Sequence, residues 1–464
     1  MSTHIPGPPG LPLVGNIRDI DSNNTWASLK KLSEKHGEIF KITVFGHTMV
    51  FVAGAELAGE LCDETRFRKY AGGPINEIRA AVHNSLFTAN HDEEDVKAWG
   101  VAHNIIAPTL SIASVAERFG DFRDTATELI QQWGALGNGK NAVRLVDELN
   151  KLNLEATTLA LYGKKLNCLG EPTHPIIQAM EDSTSMAMKR SPLPSTVKSL
   201  LYGSKFKKSI RTMREWAAGI VEYRKQNPGY EARNDLLSAL MNAKDPETGS
   251  ALTEEQVIDE IVTMPIGSST APCLISTAIY FLLKNPEALA ALRAEVDAVL
   301  GEEEFTYAHL AKMPYLEATV RESLRLSFAA PGFNIEPKWN ENDKSPVLLG
   351  GGKYEVAYNQ AMIIVLAGAN RDPAVFEDPL AFRPERMLGD AFDNLPHGAK
   401  LWYGNGKREC IGKHYASMWN KVVLAKLVRE VDFEMVDPKY QLEQDGWFNI
   451  RPIDFSVKVK ARSV

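Results

Sequence analysis

The run Tyr403-Gly-Asn-Gly-Lys-Arg-Glu-Cys410-Ile-Gly412 sets one cysteine in a glycine-rich, cationic loop, and the helix-compatible stretch Lys413-His-Tyr-Ala-Ser-Met-Trp-Asn follows it. Gly404, Gly406 and Gly412 can take backbone angles that other residues avoid, which lets main chain approach a flat, bulky group closely. Lys407 and Arg408 beside Cys410, and the start of a helix after it, favour thiolate over thiol. A thiolate held against a planar cofactor is one reading of this loop. An inert cysteine buried in a glycine turn is the other, because Cys is a commonly buried residue type.

Further out, Glu322-Ser-Leu-Arg325 puts a carboxylate and a guanidinium on one helix face at i and i+3. Phe382-Arg-Pro-Glu-Arg386 supplies another cation downstream. Taken alone, the pair reads as an exposed ion pair as well as a buried one. Trp99-Gly-Val-Ala-His103 places an indole and an imidazole on the same helix face at i and i+4, which simple packing also produces.

The cysteine loop resembles the haem-binding signature of the cytochrome P450 family, Phe-x-x-Gly-x-Arg-x-Cys-x-Gly. Tyr403 takes the aromatic position, and Gly406, Arg408, Cys410 and Gly412 follow at the family spacing. Tyrosine for phenylalanine is the one departure, and its hydroxyl needs a partner when buried. The likeness runs from Pro6 to the C-terminal Val457-Lys-Val. Within the family it most resembles the haem domain of bacterial and fungal fatty-acid hydroxylases fused to their reductase. The resemblance implies a mainly α fold with a minor β region and haem b buried between distal and proximal helices. It implies iron on Cys410, whose thiolate pushes electron density to favour O–O cleavage. It also implies that Trp99, His103 and Arg408 bond the haem propionates. Glu322, Arg325 and Arg386 become a buried network that fixes the chain leading into the cysteine loop.

Glu254 to Lys284 reads as one long apolar helix with a Thr253/Gln256 capping box, and the resemblance sets it over the distal face. The family pattern there is Ala/Gly-Gly-x-Asp/Glu-Thr, whose acid and alcohol relay protons. This chain has Ile266-Gly267-Ser268-Ser269-Thr270. Gly267 and Thr270 match, but Ser269 replaces the acid; a serine hydroxyl stays protonated at neutral pH, though it can hold a water. Pro265 and Pro272 each remove a helix donor, at about 3 kcal/mol in a regular helix. A kink or bulge is therefore expected, and the carbonyls of Ile261 and Ser268 need other partners. Phe87, Ile266, Ala330 and Phe448 match by position residues that line the family's pocket above haem, with ordinary core packing as the alternative. Where the fatty-acid hydroxylases hold a substrate carboxylate with arginine and tyrosine, this chain has His47 and Phe51. A less anionic or bulkier hydrophobic substrate is thereby favoured.

The remaining chain predicts a hairpin around Phe45-Gly46 within Ile39–Val52 and helices over Val115–Trp133, Ile210–Arg224, Pro286–Leu300 and Lys421–Glu430. A bend at Gly350–Gly352 precedes a strand over Ala361–Ala367. With 464 residues, 44% of them hydrophobic, and no linker or repeat, a single domain over 1–464 is expected. The net charge of -7 speaks against a general nucleic-acid binder. Cys62, Cys168, Cys273 and Cys410 lie far apart and form no Cys-x-x-Cys pair, the pattern of neither a disulfide framework nor a zinc site. No apolar run reaches the ~18 residues of a membrane span, and the Pro-rich N-terminus lacks a signal-peptide core. A cytoplasmic location without a transmembrane anchor is expected.

The chain has no flavin or nicotinamide motif, so FAD, FMN and NADPH would enter only through a reductase, separate or fused. Lys407, Arg408 and Lys413 offer a cationic face to such a flavoprotein. These readings converge on a haem-thiolate monooxygenase that oxidises a hydrophobic small molecule, a fatty acid or secondary metabolite, with O2 and reductase electrons. Ser269 keeps open a redox-neutral or peroxide-driven haem-thiolate enzyme. A noncatalytic haem or ligand-binding protein is the reading from another class.

Overall fold

The structure, a computed structural model, describes residues 4–136, 141–227, 229, 233–339, 342–446 and 448–462. Helix accounts for 55% and strand for 12%, the mainly α class with a minor β part that was expected. The chain folds into two compact units. One is Met1–Gly72 with Arg321–Cys410 and Gln444–Ile450; the other is Gly73–Val320 with Ile411–Glu443 and Arg451–Val464.

The first unit is built on a five-stranded sheet. Phe45 and Gly46 both take positive φ, 49° and 81°, the geometry of a two-residue turn that matches strand twist. Ile39–Val44 and His47–Val52 therefore pair antiparallel, with Val44 opposite His47. His47–Val52 runs parallel to Met362–Val365, which pairs antiparallel with Gly332–Pro337, and Phe67–Lys69 closes the edge. The strand expected over 361–367 ends at Val365, because Leu366–Ala369 turns into a short helix. That turn packs Gly368 so tightly that a Cβ there would lie 2.5 Å from Ala53 Cβ. Phe40, Ile42, Phe51 and Val52 join Met362 and Ile364 in the core. Phe51, expected at a channel mouth, is thus a core residue stacked on Phe40 at 5.1 Å, whereas His47 is exposed. Gly350–Gly352 form the expected bend, joining the strands Val347–Leu349 and Tyr354–Val356.

The second unit is mostly helical, with a three-stranded sheet of Ala142–Arg144, Ser456–Ala461 and Val431–Met435. Pro286–Leu300 forms as expected. Ile210–Arg224 is part of a longer helix, Ser195–Gln226. Its first turns expose Val197, Leu200 and Leu201, so periodicity tied to burial understates its length. Lys421–Glu430 likewise belongs to Lys413–Glu430. The helix expected over Val115–Trp133 is two, Ile112–Ala116 and Phe119–Gly134. The chain leaves helical geometry at Arg118, whose guanidinium donates to the carbonyls of Arg233 and Asn234.

The Thr253/Gln256 capping box is present. The stretch it opens is two helices, Glu254–Ser268 and Thr270–Lys284, meeting at Ser269, between the two prolines that predict an interruption. The Ile261 carbonyl, deprived of its helical donor by Pro265, accepts from the buried Tyr162 phenol at 3.1 Å. By mean hydropathy, 254–284 is the one stretch among the described residues long and apolar enough to cross a membrane, although scattered polar residues keep it from being an unbroken apolar run. It is mostly buried inside the protein, 67% of its most apolar window.

Tyr162→Phe is expected to cost about 1–3 kcal/mol, the penalty of a buried acceptor left without its donor. In a Pro265→Ala background the restored N–H can return to Ile261, so the same substitution should cost less. Equal losses in both backgrounds, measured by denaturant unfolding, would show that the phenol does not serve this carbonyl.

Candidate functional site

In the first unit the cysteine loop closes on itself. Cys410 N–H donates to the Tyr403 carbonyl at 2.8 Å, and Gly404 N–H to Leu401 at 2.8 Å. Gly404 and Gly406 take left-handed φ of +77° and +63°, as glycine permits. Gly412 does not: its φ is −87°, so no backbone strain calls for glycine there, and that part of the expectation is corrected. A Cβ on Gly406 would sit 2.3 Å from the Glu64 carboxyl carbon. Glu64 accepts the Lys407 N–H at 3.0 Å, and the Asn405 amide donates to the Cys62 carbonyl at 2.9 Å. The turn at 62–64 thus pins the loop from far away in sequence. Of the four cysteines, Cys410 is the exposed one, which removes the reading of an inert buried thiol.

Beside this loop stands Lys69, at the end of the strand Phe67–Lys69. Burial first, and the Arg408 guanidinium second, push its ammonium down to about 7, with the Cys410 thiolate pulling the other way. Two crowded cations next to a thiolate suit a ligand with a soft metal centre and an anionic rim. An iron porphyrin has both, iron that takes cysteine sulfur and carboxylates at its edge, so the donor set fits haem. No motif spacing ties Lys69 to Arg408, and sequence reading missed it.

The structural network is buried. Glu322 and Arg325 are both 0% exposed and pair through two hydrogen bonds, 2.7 and 2.8 Å. Glu322 also accepts the Arg383 N–H at 2.9 Å and lies 3.3 Å from Arg386 Nε. Arg325 donates onward to the carbonyls of Asn370 (3.1 Å), Pro379 (2.6 Å) and Ala381 (3.1 Å). The exposed-pair alternative is excluded. In the same unit, Ile450 N–H donates to Ala329 at 2.8 Å, which brings the segment of Phe448 beside that of Ala330.

In the second unit, Trp99 and His103 share a face of the helix Glu93–Ile106, their rings stacked at 4.6 Å. At the interruption of the apolar stretch, three successive hydroxyls turn back on carbonyls three residues earlier. Ser268 donates to Pro265 at 3.3 Å, Ser269 to Ile266 at 2.7 Å and Thr270 to Gly267 at 3.3 Å; such back-bonding bends helices. Ser268 also accepts from the Asn153 amide at 2.9 Å. Asn153 accepts from Thr157 at 3.5 Å, and Thr157 from the buried Tyr415 phenol at 3.1 Å. This line of bonds, invisible to pattern reading, links the interruption to the helix that follows Cys410. Ile266 is buried and Phe87 half-buried.

A family profile described as cytochrome P450 matches residues 5–459. The chain is 35% identical, over 99% of its length, to a bifunctional cytochrome P450/NADPH–P450 reductase of Aspergillus oryzae, of which it covers 41%. It is 33% identical, over its whole length, to a bifunctional cytochrome P450/NADPH–P450 reductase of Acremonium egyptiacum, covering 44% of it. A self-sufficient cytochrome P450 monooxygenase of Penicillium freii is 36% identical over 99% of the chain, which covers 43% of that protein. The chain therefore spans less than half the length of these curated relatives.

Proposed function

The chain belongs to the cytochrome P450 family, whose members hold haem b, and from that premise we propose that it is the haem-thiolate part of a monooxygenase supplied with electrons by an NADPH-dependent flavoprotein reductase. The observation that carries this reading is Cys410, an exposed thiol in a pinned glycine loop beside Lys69 and Arg408. Reductases are fused to the P450 part in the relatives named above, which supports the partner. We take 1–464 as one haem-thiolate domain, with Trp99, His103 and Arg408 as propionate donors and Glu322, Arg325 and Arg386 as its structural network.

Thiolate-ligated haem, when bound, supplies O2 activation through O–O cleavage. What the chain adds at the other end of the reaction is hydroxyl rather than carboxyl. Ser269 and Thr270 keep their protons at neutral pH and are anchored to Ile266 and Gly267. They can hold and orient water, but they cannot act as a carboxylic acid would. Phe87, Ile266, Ala330 and Phe448 are the proposed substrate contacts. Position 47, which is exposed, carries histidine rather than arginine, so we assign a hydrophobic small molecule with little anionic character, a secondary metabolite ahead of a free fatty acid.

The test is product formed per NADPH consumed, with an NADPH–P450 reductase, in wild type and Ser269→Glu. General acid steps are worth roughly 10²–10⁴-fold in rate, so the added carboxyl should raise coupling toward its limit of one product per NADPH. Unchanged coupling would count against a missing-acid bottleneck. Turnover without any reductase would select the redox-neutral or peroxide-driven reading, which the serine at 269 also supports.

A further inference from the structure

Glu260 lies on the helix Glu254–Ser268, is 2% exposed, and takes no part in the chemistry assigned above. Its Oε1 accepts the Leu86 N–H, next to Phe87, at 2.9 Å; its Oε2 has no hydrogen-bond partner among the described residues. The bond is one of three between this helix and one turn of chain. Asp259 meets His83 Nδ1 at 3.0 Å, and Thr263 donates to the Ser85 hydroxyl at 3.1 Å. Within the turn, the hydroxyls of Ser85 and Thr88 are 3.3 Å apart, and His83 takes a φ of +40°. Strained backbone keeps its shape only while its neighbours over-determine it.

We propose that Glu260 is a positioning residue whose buried carboxyl holds the Ser85–Leu86 peptide, one residue before Phe87, and thereby fixes where the Phe87 ring stands against a bound substrate, setting the size the pocket accepts. This rests on the reading of Phe87 as a substrate contact.

The surroundings make the latch sensitive to pH. Burial pushes the Glu260 carboxyl up to about 8, against the pull of the Leu86 N–H and with help from Asp259. Asp259 is itself met by Arg214 at 2.6 Å, from the helix Ser195–Gln226, and by His83. Arg214 also pairs with Glu255, and the Tyr162 phenol, from the helix Leu145–Tyr162, feels the Glu260 charge. Because the carboxyl is raised, it is neutral at pH 7 and ionises as pH climbs through about 8. A buried anion with one oxygen unserved is drawn toward water, which loosens the turn.

Two readouts on the haem-loaded chain test this. Hydrogen exchange of the 84–88 amides, by mass spectrometry, reads the turn. The ratio of affinities for imidazole and 1-phenylimidazole, from shifts of the haem absorption, reads the pocket. Glu260→Leu should speed exchange and change the ratio about tenfold, the scale of one lost hydrogen bond. Glu260→Gln keeps the acceptor and cannot ionise. It should match wild type at about pH 7 and exchange more slowly than wild type at about pH 9, a comparison at equal pH that cancels intrinsic base catalysis. If the leucine variant fails to fold, the glutamine comparison decides. Identical exchange in wild type and Glu260→Gln on both sides of the transition overturns the latch. Altered exchange with an unchanged ratio overturns the link to size selection and the placement of Phe87. No absorption shift with imidazole in wild type overturns the haem reading itself, and the pocket claim with it.

Discussion

Cys410→Ser is expected to abolish the long-wavelength Soret band that carbon monoxide gives with sulfur-ligated ferrous haem, and to abolish turnover with it, while leaving the protein folded. The spectral loss should be complete because a serine hydroxyl does not ionise near neutral pH and supplies no thiolate. No other cysteine can stand in. Burial pushes Cys62 and Cys168 up to about 12, so both remain thiols, and Cys273 is buried. Stability should hardly move. Cys410 is exposed, and its bond across the loop, N–H to the Tyr403 carbonyl, belongs to the backbone and survives the change. Surface substitutions of this kind stay within about 0.5 kcal/mol. Absorption spectra of the reduced, CO-treated variant and its thermal melt together make the check. A serine variant that kept the band would place iron on another ligand and undo the assignment.

What could be read from the chain before its structure was local. The Phe45-Gly46 turn, the Thr253/Gln256 box and the helix Pro286–Leu300 each depend on neighbours a few residues away, and each appears where residue chemistry puts it. The cysteine loop was legible for the same reason: its glycines and cations are contiguous. Its supports were not. Glu64, which braces Gly406 and Lys407, and Lys69, which crowds Arg408, sit some 340 residues earlier, with no spacing rule to announce them. The apolar stretch illustrates both sides. Two prolines predict an interruption, but where it falls is decided by hydroxyls at 268–270 turning back on their own carbonyls and by Asn153 and Tyr162 reaching in from another helix. Phe51 is a similar lesson. Matching it by position to a substrate-binding residue ignored that the second half of its strand, Val50 to Val52, is buried throughout and that Phe51 stacks on Phe40 there.

The second large effect belongs to Glu322. Glu322→Ala is expected to cost about 3–5 kcal/mol, because removing one member of a buried pair leaves the other charged and desolvated. Such a loss is a large share of the 5–15 kcal/mol that holds an ordinary domain together, so poor accumulation of folded, haem-loaded protein should accompany a lower denaturant midpoint. The variant strips Arg325 of both carboxylate bonds, and it also frees the Arg383 N–H. The usual rescue should fail here. Swapping a buried ion pair for apolar residues is often neutral or stabilising, yet Glu322→Met with Arg325→Leu would orphan the carbonyls of Asn370 and Pro379 that Arg325 now serves and leave Ala381 with only the longer bond from Arg386 at 3.4 Å. Each unserved acceptor costs about 1–3 kcal/mol, so the double variant should be no more stable than Glu322→Ala. A double variant as stable as wild type would mean that the arginine merely neutralises the glutamate. The loss predicted here requires that it bolt the segment 370–381, which runs toward the cysteine loop, onto the helix Pro314–Ser327.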